Sequence, residues 1–533
     1  MTPRWTPGAP AEAGKQVARC VILPDDAGAG EALARALRAA GTEVVTVTGG
    51  NAFTETPGGF TIDPASPADH AALAERLATS AGVTVVDLRL LDRPEDGDGR
   101  DTLPPVARLL AAWGEAGADS ARVLLVTRAG QAVSAGERPD PGQAAAATLP
   151  MVANQEYLNL DCATVDVAPG ADAAEVAGAL AAEVRHPSGD VFVAYREGSR
   201  LIRAYTPAEP ASGPDGTPIR PGGTYLVTGG LGDVGLLLAG HLARKGAGRL
   251  ILLSRGGVPD DEGHPRRVAV DALRELGVEV STPRVDVTDA AAVRALLAGE
   301  SRLDGVVHAA AVTTPDTFSP LRDLEGDGVA RHFDAKVTGA LTLERALAET
   351  DHAPDFCVLF SSTSALLGGI TFGSYAAANA ALTAIAHRQH EGPAPWTAAS
   401  WDTWSVTLDR IEGGFGAAMA AHSMTADEAL AAFDRLRAAG HPHVVVAAGG
   451  LDDRLPRAVP TLPGRPQRGP RPEAPTGFRG PSCPSPTRRR PRSPSATSPG
   501  SGRRCSASSR SAPVTTSSTW AATPWWRCRC WRW

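Results

Sequence analysis

Residues 224–246 read TYLVTGGLGDVGLLLAGHLARKG, an apolar strand, a glycine-rich turn and a helix in direct succession. Glycines allow a tight turn and a close approach of the backbone to a ligand, and the helix N-terminus offers amide donors and a positive dipole to a pyrophosphate. The pattern predicts a dinucleotide-binding turn, with a plain structural turn as the alternative. The predicted contacts are Thr228, Gly229, Gly230, Leu231, Gly232, Val234 and Gly235.

The end of the next predicted strand indicates which dinucleotide would bind. The sequence LLSRGG places Ser254 and Arg255 where an NAD-binding protein usually carries an acidic residue for the ribose 2′-hydroxyl. This replacement favours NADP(H) over NAD(H). A solvated arginine at a strand end is the alternative interpretation of Arg255.

The chain on both sides of the turn alternates between apolar strands and helical patterns. The predicted strands are residues 18–23, 43–48, 83–91 and 122–127 upstream, and 249–254, 278–287, 305–312, 355–362 and 443–450 downstream. Continuous apolar runs are typical of strands buried on both faces of a parallel sheet. The predicted fold class is therefore α/β, with two tandem Rossmann-like, doubly wound parallel sheets and a disordered C-terminal tail.

Composition and turn residues divide the chain into five predicted segments. Residues 207–222 are rich in Pro, Gly and Ser and separate the two halves. The segments are a linker (1–15), a first Rossmann-like half (16–206), a second linker (207–222), a second Rossmann-like half that contains the predicted NADP-binding turn (223–457) and a basic low-complexity tail (458–533).

The first half differs from the second at the turn where a nucleotide would bind. Its first strand runs into PDDAGAG, which places Asp25 and Asp26 at the position of a pyrophosphate. Two carboxylates there would repel the phosphates. We therefore expect the first half to bind no nucleotide.

Overall composition excludes several classes of protein. The 533 residues carry a formal net charge of −7 and contain no run of about 18 apolar residues and no secretory leader pattern. The seven cysteines lack the spacing of a zinc site or a disulfide framework. We expect a soluble cytoplasmic protein with no metal and no membrane partner.

The segment LFSSTSALLGGITFGSYAAANAALTAIA, residues 359–386, contains the candidate catalytic residues. Ser362 closes a strand, Tyr375 begins an Ala-rich helix, and Asn379 lies four residues later on the same helix face. Lys336 lies upstream in RHFDAKVTGALTL. Each residue alone is compatible with a structural role, but the spaced set together with the glycine turn favours catalysis.

This spacing resembles the short-chain dehydrogenase/reductase family. Most of its members carry lysine four residues after the tyrosine, whereas this chain has asparagine there and the lysine upstream. That exchange resembles the ketoreductase domains of modular type I polyketide synthases. VDVTD around Asp286, VVHAAAV and SWDTW (400–404) also resemble landmarks of that family, and the resemblance covers roughly residues 16–457.

The resemblance implies an activity and a set of roles. NADPH would pass a hydride to a β-ketoacyl thioester on an acyl carrier protein, within an assembly of other polyketide synthase domains. Tyr375 would donate the proton, Lys336 would lower the phenol pKa, Ser362 would bind the carbonyl, and Asn379 would hold a water or the lysine. Further cofactor contacts are expected from Asp286, Val287, Ala309, Ala310 and Ala311, whereas His308 is expected to be structural.

Two alternatives remain open at this point. One is a catalytically silent ketoreductase remnant with a structural role. The other is a free-standing short-chain dehydrogenase that acts on a small ketone.

The tail has a composition of its own. Residues 461–533 contain 14 arginines, no lysine and one acidic residue, Glu473. A flexible linker and a nucleic-acid patch are possible interpretations, but a change of reading frame converts residues 517–533 into a peptide that resembles the phosphopantetheine attachment region of a carrier protein. We therefore interpret the tail as frameshifted and disordered, and we expect no nucleic-acid partner.

Overall fold

Two β-sheets, each with helices packed on it, make up the described part of the chain. The computed structural model describes residues 1–9, 17–78, 82–93, 97–117, 120–208, 219–410 and 420–455. All of them belong to one compact unit, Met1–Pro463. The predicted tail and most of the second predicted linker lie outside the described residues.

The first half contains a ten-stranded sheet within these ranges. Its strands are β1 (Thr2–Pro7), β2 (Arg19–Leu23), β3 (Glu43–Gly49), β4 (Thr54–Thr56), β5 (Gly59–Ile62), β6 (Val83–Asp87), β7 (Ala121–Arg128), β8 (Leu160–Val167), β9 (Phe192–Arg196) and β10 (Ser199–Thr206). Its helices are α1 (Ala29–Ala39), α2 (Pro67–Leu77), α3 (Leu103–Glu115), α4 (Pro141–Ala146), α5 (Leu149–Glu156) and α6 (Ala173–Arg185).

The strand order of this sheet is β1-β10-β9-β8-β7-β6-β2-β3-β5-β4. The strands from β5 to β9 in that order are parallel, and antiparallel strands complete both edges. The central strands are buried on both faces, which explains their continuous apolar runs.

The second half contains a seven-stranded parallel sheet in the described ranges. Its strands are β11 (Thr224–Thr228), β12 (Arg249–Leu253), β13 (Glu279–Ser281), β14 (Gly305–His308), β15 (Phe356–Ser362), β16 (Trp396–Trp401) and β19 (His443–Val446), and β17 (Thr403–Trp404) pairs separately with β18 (Ser423–Met424). The helices are α7 (Asp233–Arg244), α8 (Pro265–Glu275), α9 (Ala290–Ala298), α10 (Asp327–Phe333), α11 (Gly339–Glu349), α12 (Ser364–Leu367), α13 (Gly373–Gln389) and α14 (Ala426–Ala438).

The order of this sheet is β13-β12-β11-β14-β15-β16-β19, which is the doubly wound arrangement. From β11 the chain continues to β12 and β13 on one side and then crosses back to β14 on the other side. The strand order therefore reverses between β11 and β14. Ligands of such sheets bind in the crevice beyond the carboxyl ends of the strands at this point. The glycine-rich turn after β11 therefore lies at the expected place, and the predicted α/β class with Rossmann-like parallel sheets is confirmed.

Several predicted boundaries need correction. The segment 1–15, expected to be a linker, contains β1, which pairs antiparallel with β10. The sequence pattern hid this strand because TPRWTP carries two prolines, which a sheet tolerates only at an edge. The strand predicted over 278–287 is limited to β13, because Pro283 interrupts the pairing.

The two halves share apolar packing. Buried residues of both sheets and of the helices between them form one continuous cluster, which includes Leu149 and Val152 of α5 together with Ala376 and Ala377 of α13. The small side chains of α4 allow α13 to pack closely on it. The helix that carries Tyr375 is therefore held from both halves.

The helices were also compared with the requirements of a membrane span. Over the described ranges, no helix combines the length and the apolar character needed to cross a bilayer.

Candidate active site

The glycine-rich turn between β11 and α7 is built by close backbone contacts. Gly229 has a φ of 66°, and a Cβ on it would lie 2.8 Å from the carbonyl oxygen of Ala309. A Cβ on Gly235 would lie 2.4 Å from the carbonyl oxygen of Gly229. Side chains at these positions would push the turn away from β14 and from α7. The N-cap residue of α7 is Gly232, which has no side chain to cap the helix, so the first-turn amides suit an anionic ligand.

The equivalent turn of the first half is capped by its own carboxylate. Asp25 is buried; its Oδ1 accepts a hydrogen bond from the amide of Gly30 at 2.7 Å and its Oδ2 accepts one from the amide of Ala29 at 3.1 Å. These are first-turn amides of α1. The place where a pyrophosphate would bind is therefore taken by a negatively charged side chain.

A cleft of about 590 Å³ opens at the carboxyl ends of the second sheet. Ten of the predicted cofactor residues line it: Gly229, Leu231, Gly232, Ser254, Arg255, Asp286, Val287, Ala309, Ala310 and Ala311. The cleft is large enough for an extended ligand and is bordered by the uncapped end of α7 and by arginines. These residues fit a phosphorylated dinucleotide.

Four predicted cofactor residues do not line this cleft but shape the turn. Thr228 is fully buried, and its hydroxyl bonds Nδ1 of His308 at 2.7 Å. Gly230 and Gly235 make close backbone contacts, and Val234 packs against the apolar core. Sequence spacing placed these residues in the turn but could not distinguish those that face the cleft.

Three arginines line the cleft, of which only Arg255 was predicted. Arg266 lies at the start of α8, and Arg331 of α10 forms an ion pair with Asp316. Arg255 and Arg266 lie on or beside the loop after β12, where they add positive charge at the predicted 2′-phosphate position. Arg266 was missed because it lies 11 residues beyond Arg255 in a segment without a motif.

Lys336 lies in a π-helical turn, Asp334–Thr338, between α10 and α11. Such turns often mark functional sites. The side chain is 3% exposed, and its Nζ donates a hydrogen bond to the carbonyl oxygen of Phe360 at 2.8 Å. Burial lowers the pKa of Lys336 to about 7.

Tyr375, Asn379 and Ser362 meet beside this lysine. Nζ of Lys336 lies 5.6 Å from the centre of the Tyr375 ring. Nδ2 of Asn379 donates to the Tyr375 carbonyl oxygen at 2.8 Å, and its buried Oδ1 has no partner among the described residues. Oγ of Ser362 accepts from the amide of Ser364 at 3.1 Å. The structure thus brings together all four predicted catalytic residues.

The pKa of Tyr375 differs from the expectation that a neighbouring ammonium would lower it. Burial raises this pKa above its usual value, while the side chains of Ser362 and Asn379 act in the opposite direction. Burial also acts on the neighbouring Lys336, where it favours the neutral form of the amino group.

An aromatic group that the sequence did not indicate surrounds the phenol. The ring centres of Phe318, His332 and Phe372 lie 5.6, 5.3 and 5.8 Å from that of Tyr375. His332 is buried, which lowers its pKa to about 4, and its Nε2 donates to the Thr317 carbonyl oxygen at 3.1 Å. Phe318 and Phe372 come from loops, where apolar periodicity gives no signal.

His308 connects the turn to the lysine. Its Nε2 donates to the Lys336 carbonyl oxygen at 2.8 Å, and its Nδ1 therefore accepts from the hydroxyl of Thr228. Burial lowers the pKa of His308 to about 4, so the ring is neutral. Both nitrogens serve structural bonds, in line with the predicted role.

Comparison with known proteins identifies the family. Residues 223–406 match the model of the KR domain. The chain is 34% identical over 325 residues to erythronolide synthase EryA3 of Saccharopolyspora erythraea, covering 60% of this chain and 10% of that protein. It is also 34% identical over 442 residues to polyketide synthase GfsA of Streptomyces halstedii, covering 78% of this chain and 6% of that protein.

This chain matches solved ketoreductase structures over a larger share of their length than it matches the synthases. The first ketoreductase of the tylosin polyketide synthase superposes with a TM-score of 0.69 at 27% identity, covering 84% of this chain and 91% of that one. A C2-type ketoreductase from a modular polyketide synthase gives 0.68 at 26% identity, covering 87% and 99%. The chain thus spans a tenth or less of the two synthases above but nearly all of these two domains. Residues 223–406 thus belong to the KR domain family, and the chain is similar in sequence and fold to polyketide synthase ketoreductases.

Proposed function

We propose that this chain is an NADPH-dependent reductase that converts a β-ketoacyl thioester on an acyl carrier protein into the β-hydroxyacyl thioester. The observation that carries the proposal is the meeting of Lys336, Ser362 and Asn379 at Tyr375, next to a cleft that fits a phosphorylated dinucleotide. The proposed catalytic half is residues 223–457, with residues 16–206 as the structural half. The proposed partners are the carrier protein and other synthase domains.

Residues of the cleft would hold the cofactor at three places. The turn 229–232 and the amides of α7 would bind the pyrophosphate, and Arg255 with Arg266 would bind the 2′-phosphate. Ala309, Ala310 and Ala311 would leave room for the nicotinamide end. NADPH, when bound, supplies the hydride that reduces the β-carbon.

The protein's own residues complete the reaction with a proton. The hydroxyl of Ser362 donates a hydrogen bond to the carbonyl oxygen of the substrate, and the hydroxyl of Tyr375 transfers its proton to the alkoxide that forms there. The resulting phenolate favours the charged form of Lys336, whose Nζ lies close to the ring. The Oδ1 of Asn379, which has no partner among the described residues, can accept a hydrogen bond from a water that relays a proton from the solvent to the Tyr375 phenolate.

Replacement of Tyr375 tests this proposal. We expect Tyr375→Phe to lower turnover of a β-ketoacyl thioester by about 10²- to 10⁴-fold, because the general acid is lost, without weakening NADPH binding. NADPH oxidation followed by absorbance measures turnover, and fluorescence measures binding. Tyr195→Phe is the control, since Tyr195 lies on β9 of the first half and its hydroxyl donates to Glu183.

The outcomes separate the alternatives. NADPH binding without turnover of a carrier-bound substrate by the wild type would favour a silent structural domain. Turnover of small free ketones in preference to carrier-bound thioesters would favour a free-standing dehydrogenase. Undiminished turnover in Tyr375→Phe would refute the assigned proton donor.

A further inference from the structure

Two loops flank Tyr375 and place aromatic side chains against it. Phe318 lies in the loop between β14 and α10, and Phe372 lies immediately before α13. Their ring centres are 4.9 Å apart, and Ser319 forms an isolated bridge with Phe372. The relative position of the two loops therefore sets the shape of the space above the phenol.

A single carboxylate from the first half binds both loops. Glu156, the last residue of α5, accepts a hydrogen bond from the amide of Leu321 at 2.8 Å through Oε2. Its Oε1 accepts one from the amide of Thr371 at 2.9 Å. Leu321 follows Phe318 by three residues, and Thr371 immediately precedes Phe372. A carboxylate is a stronger acceptor than a neutral group, and its two oxygens hold the two amides at a fixed spacing.

The neighbouring residue fixes the second loop at two more points. Nε2 of Gln155 donates to the Leu367 carbonyl oxygen at 2.7 Å, and Oε1 accepts from the amide of Gly369 at 2.6 Å. All of the partners are backbone groups, so the contacts specify the path of the loops and not their side chains.

The second loop needs this support because its backbone is strained. Thr371 has a φ of 68°, a left-handed conformation that a β-branched residue rarely adopts, and Gly368 and Gly369 also have positive φ values of 73° and 143°. Glycine adopts positive φ values without strain, whereas a threonine in this conformation persists only where its surroundings hold it. The held loop leads directly into the first turn of α13, which carries Tyr375.

We propose that Glu156 is a positioning residue for reduction: by holding the amides of Leu321 and Thr371, it fixes the two loops that orient Tyr375 and the bound substrate. This inference rests on the proposed reductase function. It gives the first half, which carries none of the proposed catalytic residues, a direct part in shaping the active site.

Kinetics of Glu156→Ala and Glu156→Gln in the full chain test the proposal. We expect Glu156→Ala to lower kcat by about tenfold and Glu156→Gln by less, because the amide retains one oxygen acceptor. NADPH affinity should stay unchanged, since the loops fixed by Glu156 do not line the glycine-rich end of the cleft. A general loss of folded protein would instead lower all activities in proportion to the folded fraction.

The control is Glu115→Gln. Glu115 is the last residue of α3 in the same half, and its Oε1 lies 3.5 Å from Nη1 of Arg322. Unlike the carboxylate of Glu156, which binds two backbone amides, this carboxylate is half exposed and pairs with a side chain. We expect wild-type kcat and KM for this variant. Wild-type kcat in both Glu156 variants would overturn the proposal.

Hydrogen–deuterium exchange separates this proposal from the reductase assignment. Loss of the carboxylate should speed amide exchange in residues 317–322 and 367–373 by about tenfold, whether or not the wild type reduces a thioester, and the isosteric Glu156→Gln covers the case in which Glu156→Ala does not fold. Unchanged exchange in both segments would overturn the loop-holding role. Altered exchange with an inactive wild type would refute the reductase function alone.

Discussion

The ammonium of Lys336 is buried without a carboxylate partner among the described residues, and its hydrogen bond goes to a backbone carbonyl. Burial lowers its pKa from 10.5 to about 7. The unfolded chain therefore binds one more proton than the folded chain between these two values. Stability contributed by the neutral lysine is lost as the pH falls through this window and changes no further below about 7.

Lys336→Met should remove this pH dependence. We expect the free energy of unfolding of the wild type to fall more steeply between pH 10 and pH 7 than that of the variant, since Met carries no titrating group. Urea unfolding at several pH values gives both curves. Lys245→Met is the control because Lys245 is half exposed. If the free energy of unfolding changed with pH in the same way for wild type and Lys336→Met, the lowered pKa of Lys336 would be contradicted.

Individual site residues differ in how well the sequence predicts them. Tyr375 and Asn379 lie four residues apart in a helix, so local periodicity is enough to place them on one face. Phe318 and His332 contact Tyr375 because the loops fold back on it, and Glu156 binds the loop before Tyr375 because the two halves dock. Such contacts between distant residues leave no pattern in a single sequence.

At the scale of elements, the π-helical turn that carries Lys336 is fixed from the first half. Nη2 of Arg100 donates to Asp334 at 2.6 Å and to Thr338 at 3.0 Å, which are the two ends of the turn. The hydroxyl of Thr338 also donates to Asp98 at 2.8 Å. The turn is therefore held at both ends by contacts that do not involve the lysine.

Arg100→Ala should misplace Lys336 without removing it. We expect kcat for thioester reduction to fall by about threefold to tenfold, a modest loss because the ion pairs are partly exposed. Steady-state kinetics measure the change. Arg93→Ala is matched to it, since Arg93 pairs with Asp101 in the same region and makes no described bond to the second half. An equal effect of both substitutions would show that the loss is not specific to the turn.

Element boundaries show where periodicity fails. Apolar runs identified many of the buried strands, such as β2, β7, β12 and β15, within a few residues. The buried strands β8, β9 and β16 were not among the predicted ones. Strand β1 was missed because its prolines and its edge position give no such run. The glycine-rich turn was predicted because close backbone contacts at Gly229 and Gly235 require its glycines.

At the scale of the whole molecule, the continuous apolar cluster makes the halves one folding unit. Leu149 of α5 is fully buried. We expect Leu149→Ala to lower the free energy of unfolding by about 2–5 kcal/mol and to lower the protection of both sheets against hydrogen exchange. Hydrogen exchange of β7 and β15 under mild denaturant reports on each sheet. Leu158→Ala, at a side chain that is 90% exposed, should change neither. Loss of protection in β7 alone would show that the halves unfold independently.

Asp25 bears on how many nucleotides one chain can hold, because it occupies the first-turn amides of α1. Of two sheets with the same strand–turn–helix beginning, one has its helix amides occupied by a carboxylate of the chain itself, and the other has them uncapped. The two turns are therefore not interchangeable. Under the proposed function, each chain therefore offers one nucleotide site although it contains two Rossmann-like sheets.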